Sequence, residues 1–172
     1  MPPGGAWADF GAGSGAFTLA LRELVGPEAH IHAVDKDAAR LRDLQRDYTA
    51  RFGSSAGLTL VPIDFTHPLK LPPLDGVVMA NSLHYFRDGP PARLTKPDVL
   101  KLVRSYLKPG GALLLVEYDV DSGNMWVPHP LSFDTWRKLA PQVGFSEPRL
   151  LATHPSSFLR RFYSAICHRQ AD

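Results

Sequence analysis

The chain reads as a doubly wound α/β domain with an antiparallel edge, and three observations point there. Short apolar runs alternate with stretches of helical periodicity. The first run opens into a turn with glycines at alternate positions, Asp9-Phe10-Gly11-Ala12-Gly13-Ser14-Gly15. The last two runs follow one another with no helix between them, so they should pair as an antiparallel hairpin.

Trp7 to Phe10 is apolar except for Asp9 and ends at the glycines, which predicts a buried strand entering a tight turn. Phe17, Ala20, Leu21 and Leu24 then recur at helical spacing until Gly26-Pro27 stops them. His30 to Val34 is a second strand, ending at Asp35. Leu41, Leu44 and Tyr48 mark a second helix, for which Asp37 is the better N-cap. Leu58 to Ile63 is a third strand, followed by Asp64, and Val77 to Ala80 a fourth, ending at Asn81. After a loop of about a dozen residues, Thr95 and Asp98 form a capping box for a helix carrying Val99, Leu102, Val103 and Tyr106. Ala112 to Tyr118 is the fifth strand, Phe133 to Leu139 a short helix, and Arg149 to Thr153 and Phe162 to Cys167 the closing hairpin.

The 172 residues suit one domain with a sizeable core, and 44% hydrophobic with 21% charged residues is ordinary for a soluble globular protein. No apolar run approaches the roughly 18 residues of a membrane-spanning helix, and the first residues lack the basic start and apolar core of a secretory signal. A single cysteine, Cys167, fits a reducing compartment and reads as a buried thiol. The expectation is a cytoplasmic protein. A net charge of +2 does not point to nucleic acid, and the histidines show no metal-ligand spacing, so no metal is expected.

Open sheets bind ligands outside the carboxyl ends of their strands. Acidic or amide residues stand at four of those ends: Asp9, Asp35, Asp64 and Asn81. The glycine turn also satisfies a dinucleotide pattern, but Asp9 would repel a pyrophosphate and welcome a cation.

These residues resemble the class I S-adenosylmethionine-dependent methyltransferases, from residue 7 to residue 169. The acidic residue with its G-x-G-x-G turn, Asp35 in HAVDKD, Asp64 in VPIDF, DGVVMANSLHYF, LKPGGALLLVE and the closing hairpin stand at the family's spacing. The resemblance implies a Rossmann-like seven-stranded sheet, mostly parallel, and methyl transfer from S-adenosylmethionine that leaves S-adenosylhomocysteine. It implies that Gly11, Gly13 and Gly15 give the methionine moiety clearance and that Asp9 receives its ammonium, directly or through water. Asp35 would take the ribose hydroxyls, Asp64 the adenine amine with Phe65 beside it, and Lys36 would pack over adenine. Asn81 would lie near the sulfonium. A turn role competes for Asp64, and a solvated charge is the plainer reading of Lys36. His84 and Tyr85 would lie by the transferred methyl as candidate catalytic or acceptor-contacting residues, although alignment alone supplies much of such a rate. Met125-Trp126 and Trp136 lie where the family often builds its acceptor pocket, with core packing the competing role.

The glycine motif begins almost at the first residue, whereas relatives carry helices ahead of it that cover the cofactor. An open pocket, a covering partner such as a second copy, and a start further upstream all remain open. The motifs of adenine or glutamine methylation and of ribose methylation are absent, which favours a small-molecule acceptor. The rival readings are a non-catalytic S-adenosylmethionine-binding module and an NAD(P)-dependent oxidoreductase.

Overall fold

In the computed structural model, residues 3–89 and 93–171 are described. The elements run β1 (Ala6–Phe10), α1 (Ala16–Val25), β2 (His30–Val34), α2 (Ala38–Phe52), β3 (Leu58–Val61), β4 (Leu74–Ala80), α3 (Lys96–Tyr106), β5 (Leu107–Tyr118), α4 (Phe133–Gln142), β6 (Arg149–Pro155) and β7 (Arg161–His168). A single 3-10 turn, Leu83–Tyr85, follows β4. The seven strands lie in the order β3-β2-β1-β4-β5-β7-β6. β7 runs antiparallel to both β5 and β6, and the other pairings are parallel, as the sequence predicts.

Strand alternation divides the core between two faces. Ala8, Phe10, Val77, Met79, Leu113 and Leu115 pack with α3 and α4, alongside Trp136 and Cys167. Trp7, Ile31, Val78 and Ala80 pack with Leu21 and Val25 of α1. Ala33 packs with Leu41, Leu44 and Tyr48 of α2. Burial pushes the Cys167 thiol up to about 12, as befits a packing residue rather than a nucleophile.

Local signals start the helices where expected. Asp37 accepts from the amides of Ala39 and Arg40, and Thr95 and Asp98 form the reciprocal capping box. The buried face of α1 differs by one residue from the apolar periodicity. Thr18, Leu21, Arg22 and Val25 are buried, while Phe17 and Leu24 are 37% and 64% exposed. Buried polar groups are tolerated when partnered, and these are. The Thr18 hydroxyl donates to Asp9, and Arg22 donates to the carbonyl of Ala29 at 2.7 Å while lying over the ring of Tyr48. On α3 the buried apolar residues are Val99, Leu100 and Val103, with Leu102 and Tyr106 half-buried.

Candidate active site

Parallel pairing brings the carboxyl ends of β1, β2 and β4 to one edge, with Phe10 beside Val34 and Asp9 beside Val78. β2 lies on one side of β1 and β4 on the other, so strand order reverses between them, which is where open sheets bind ligands. A cleft of about 620 Å³ opens there. Gly11, Gly13, Asp35, Lys36, Asp64, Phe65 and Asn81 all line it, and so does Tyr85. Asp9, Gly15 and His84 stand outside it.

The glycine turn is anchored by the amides of Gly11 and Ala12, which donate to the carbonyl of Val34 at 2.9 and 3.1 Å. Gly11 has φ +83°, and a Cβ there would sit 2.7 Å from that of Ser82, so only glycine lets the turn pass the exit of β4. Gly15 serves helix packing. It caps α1 at φ +93°, and a Cβ would meet Leu44 of α2 at 2.4 Å. Its missing side chain lets two helices approach.

Asp35 ties the turn to the next helix. One carboxylate oxygen accepts from the Gly13 amide and the other from the Asp37 amide, each at 2.8 Å. Each oxygen keeps further acceptor capacity, so a diol could bind an already oriented carboxylate. Asp64 takes the turn role that competes for it, accepting from the Thr66 amide and hydroxyl at 3.0 and 2.7 Å, and also stands on the cleft wall. Burial pushes the Asp64 carboxyl up, but the Thr66 donors, Lys36 and His67 outweigh that and hold it below its ordinary range. Phe65 beside it stacks on Phe10 at 5.6 Å and forms an apolar wall with Phe86.

Asp9 lies inside the protein, 1% exposed, with the Thr18 hydroxyl donating to it at 2.7 Å. Burial, helped by the charge of Asp35, raises its pKa to about 6 against the opposing pull of Thr18. Its charge can therefore reach a ligand only through the intervening turn. Asn81 adopts φ +53°, a left-handed conformation uncommon outside glycine, and its Oδ1 is buried without a hydrogen-bond partner. Ser82 Oγ beside it is likewise unpartnered.

His84 points into the core. Its Nδ1 lies 3.0 and 3.1 Å from the two oxygens of Glu117, which is fully buried on β5. The same carboxylate accepts from the amides of His84 and Tyr118. His84 in turn accepts, through its carbonyl, from the amide of His129, tying the segment after β5 to the 3-10 turn. Tyr85 packs on the His84 ring at 4.4 Å and is 65% exposed. Geometry therefore separates the two candidates: His84 positions the turn, and Tyr85 faces the cleft. Trp136 is core, whereas Met125 and Trp126 are exposed.

Residues 8–113 match the family model described as a methyltransferase domain. The chain belongs to that family. No curated protein matches the chain, but solved structures do. A protein from Bordetella parapertussis described as a possible exported protein superposes with TM-score 0.75 at 18% identity, covering 99% of this chain and 63% of that one. Human N-acetylserotonin methyltransferase in complex with SAM gives 0.67 at 18%, covering 96% and 48%. The 1,6-didemethyltoxoflavin-N1-methyltransferase of Burkholderia thailandensis, with 1,6-didemethyltoxoflavin and S-adenosylhomocysteine bound, gives 0.74 at 14%, covering 98% and 72%. At these identities the likeness is one of fold. The chain spans about half to just under two-thirds of the length of the first four such structures.

Sequence reading missed Glu117, Arg40, Ser82 and Phe86. Arg40 lines the cleft, with a guanidinium nitrogen 3.9 Å from where a Cβ at Gly13 would lie. Glu117 left one signal, a carboxylate between the apolar run Leu113–Val116 and Tyr118 in a buried strand, where a charge needs a partner. The other three carry no pattern by themselves. Among the described residues, no three His, Cys, Asp or Glu side chains cluster to hold a metal ion.

Proposed function

We propose that this protein transfers a methyl group from S-adenosylmethionine to a small-molecule acceptor. The observation that carries the reading is the Asp35 carboxylate, held by two backbone amides in a cleft whose glycine turn passes close to β4. The residues present fit the cofactor. Asp35 suits the ribose diol, Asp64 and Phe65 the adenine, and Arg40 the amino-acid carboxylate. Asp9 beneath the turn favours the ammonium and disfavours a pyrophosphate. The unpartnered Asn81 Oδ1 and Ser82 Oγ suit the methionine end, because buried polar atoms in native proteins nearly always have partners.

The bound cofactor supplies an electrophilic methyl on a sulfonium, which the acceptor's nucleophilic atom takes as the carbon–sulfur bond breaks and a thioether leaves. The protein's part is alignment. Glu117 fixes His84, His84 fixes the 3-10 turn, and the turn presents Tyr85 to the cleft. The acceptor's proton need not pass to a buried side chain.

Calorimetric binding of S-adenosylhomocysteine tests the reading. Asp35→Ala removes two hydrogen bonds to a charged acceptor, at least about 3 kcal/mol in all, so affinity should fall roughly 100-fold. Unchanged affinity in that variant would sink the ribose assignment.

A further inference from the structure

The two faces of the sheet are covered unequally at its β5-β7-β6 end. On the α3/α4 side Tyr163, Ala165 and Cys167 are fully packed. On the other side Leu114, Val116, Phe162 and Ser164 remain half-exposed, and β6 is exposed along its whole length. Phe17, turned outward by the one-residue rotation of α1, leans over the same region.

Phe17, Val116, Ala152 and Phe162 wall a groove of about 440 Å³, which Asn81 and His154 of β6 also line. Asn81 also lines the cofactor cleft, so the two spaces meet at one residue. Among the described residues, no Asp, Glu, Lys or Arg lines the groove. Another cavity, by Asp119, Asp121 and Arg161, is charged and shares no residue with the cleft. The His154 Nδ1–H donates to the carbonyl of Pro155 at 2.7 Å, which leaves Nε2 of the neutral ring as an acceptor.

We infer that this groove is the acceptor subsite, and that it takes an uncharged, ring-sized apolar molecule whose hydroxyl or amine lies toward Asn81 and His154. The assignment rests on the methyl-transfer reading above. Continuity through Asn81 places the groove beside the cofactor cleft, its volume suits a small ligand, and the aromatic side chains of Phe17 and Phe162 suit a ring. A charged acceptor would find no counter-charge there and would lose hydration without compensation.

The test uses the full chain saturated with S-adenosylhomocysteine, with 2-naphthol as the neutral probe and 2-naphthoate as its charged counterpart. Naphthol should bind saturably, with naphthoate at least tenfold weaker. Ala152→Trp, on an exposed strand position, should weaken naphthol at least tenfold while S-adenosylhomocysteine affinity stays within twofold. The inference is overturned by equal binding of the two probes, by absent naphthol binding, or by wild-type naphthol affinity in Ala152→Trp. It is also overturned if light scattering shows a dimer that Ala152→Trp turns into monomers, which would assign the groove to a second copy. Failure of the wild type to bind S-adenosylhomocysteine would instead overturn the proposed function.

Discussion

Replacing Asp9 by Asn should change the stability of the protein in a pH-dependent way, and the magnitude follows from burial. The carboxyl titrates at about 6 in the folded protein against an ordinary 3.8, chiefly because burial penalises its charge. That difference corresponds to about 3 kcal/mol by which ionised Asp9 destabilises the fold. The penalty is absent below pH 3.8, accumulates as pH rises toward 6, and is constant above it, because the folded state there binds the proton more tightly than the unfolded chain. Asn has nearly the shape of the neutral acid and does not titrate. Its own cost, an amide N–H with no acceptor, is independent of pH. Urea denaturation of both proteins from pH 4.5 to pH 8 should therefore show the variant gaining on the wild type by about 2 kcal/mol across that range. A stability difference that stays constant across the range would refute the burial argument. A cation near the turn favours ionised Asp9, so wild-type affinity for S-adenosylhomocysteine should rise through pH 6, and that of the variant should not.

Other substitutions test the remaining structural claims. Glu117→Ala leaves the His84 imidazole and two buried amides without their acceptor and should cost about 3 kcal/mol or more in urea denaturation, with Glu117→Gln recovering part of it. Gly15→Ala forces a side chain against Leu44 at positive φ and should lower stability by about 1–3 kcal/mol in thermal melts. On α1, Leu24→Glu should stay within about 0.5 kcal/mol of wild type, while Leu21→Ala should cost about 2–5 kcal/mol. Leu21 belongs to both the expected and the observed face, so a cost of about 2 kcal/mol or more in Leu24→Glu would restore the face expected from periodicity.

Much of the candidate site was legible before the fold. Gly11, Gly13, Asp35, Asp64, Phe65 and Asn81 stand directly at or after strand ends, and parallel pairing carries strand ends to one edge. Position in the chain thus fixes position in space for them. The helix caps Asp37 and Thr95 are legible for a similar reason, since their partners lie within three residues.

The strand and helix order, the glycine turn and the caps are local, so sequence alone determines them: each depends on neighbours a few residues away. Tertiary structure decided what depends on distant partners. It buried Arg22 against Ala29 and Tyr48, and so turned Phe17 outward. It placed Gly15 against Leu44, where a methyl group would collide. It set Glu117, 33 residues away in sequence, against His84, and so drew that imidazole into the core. Apolar periodicity cannot foresee such contacts, because a polar group becomes buriable only once its partner arrives from elsewhere in the chain.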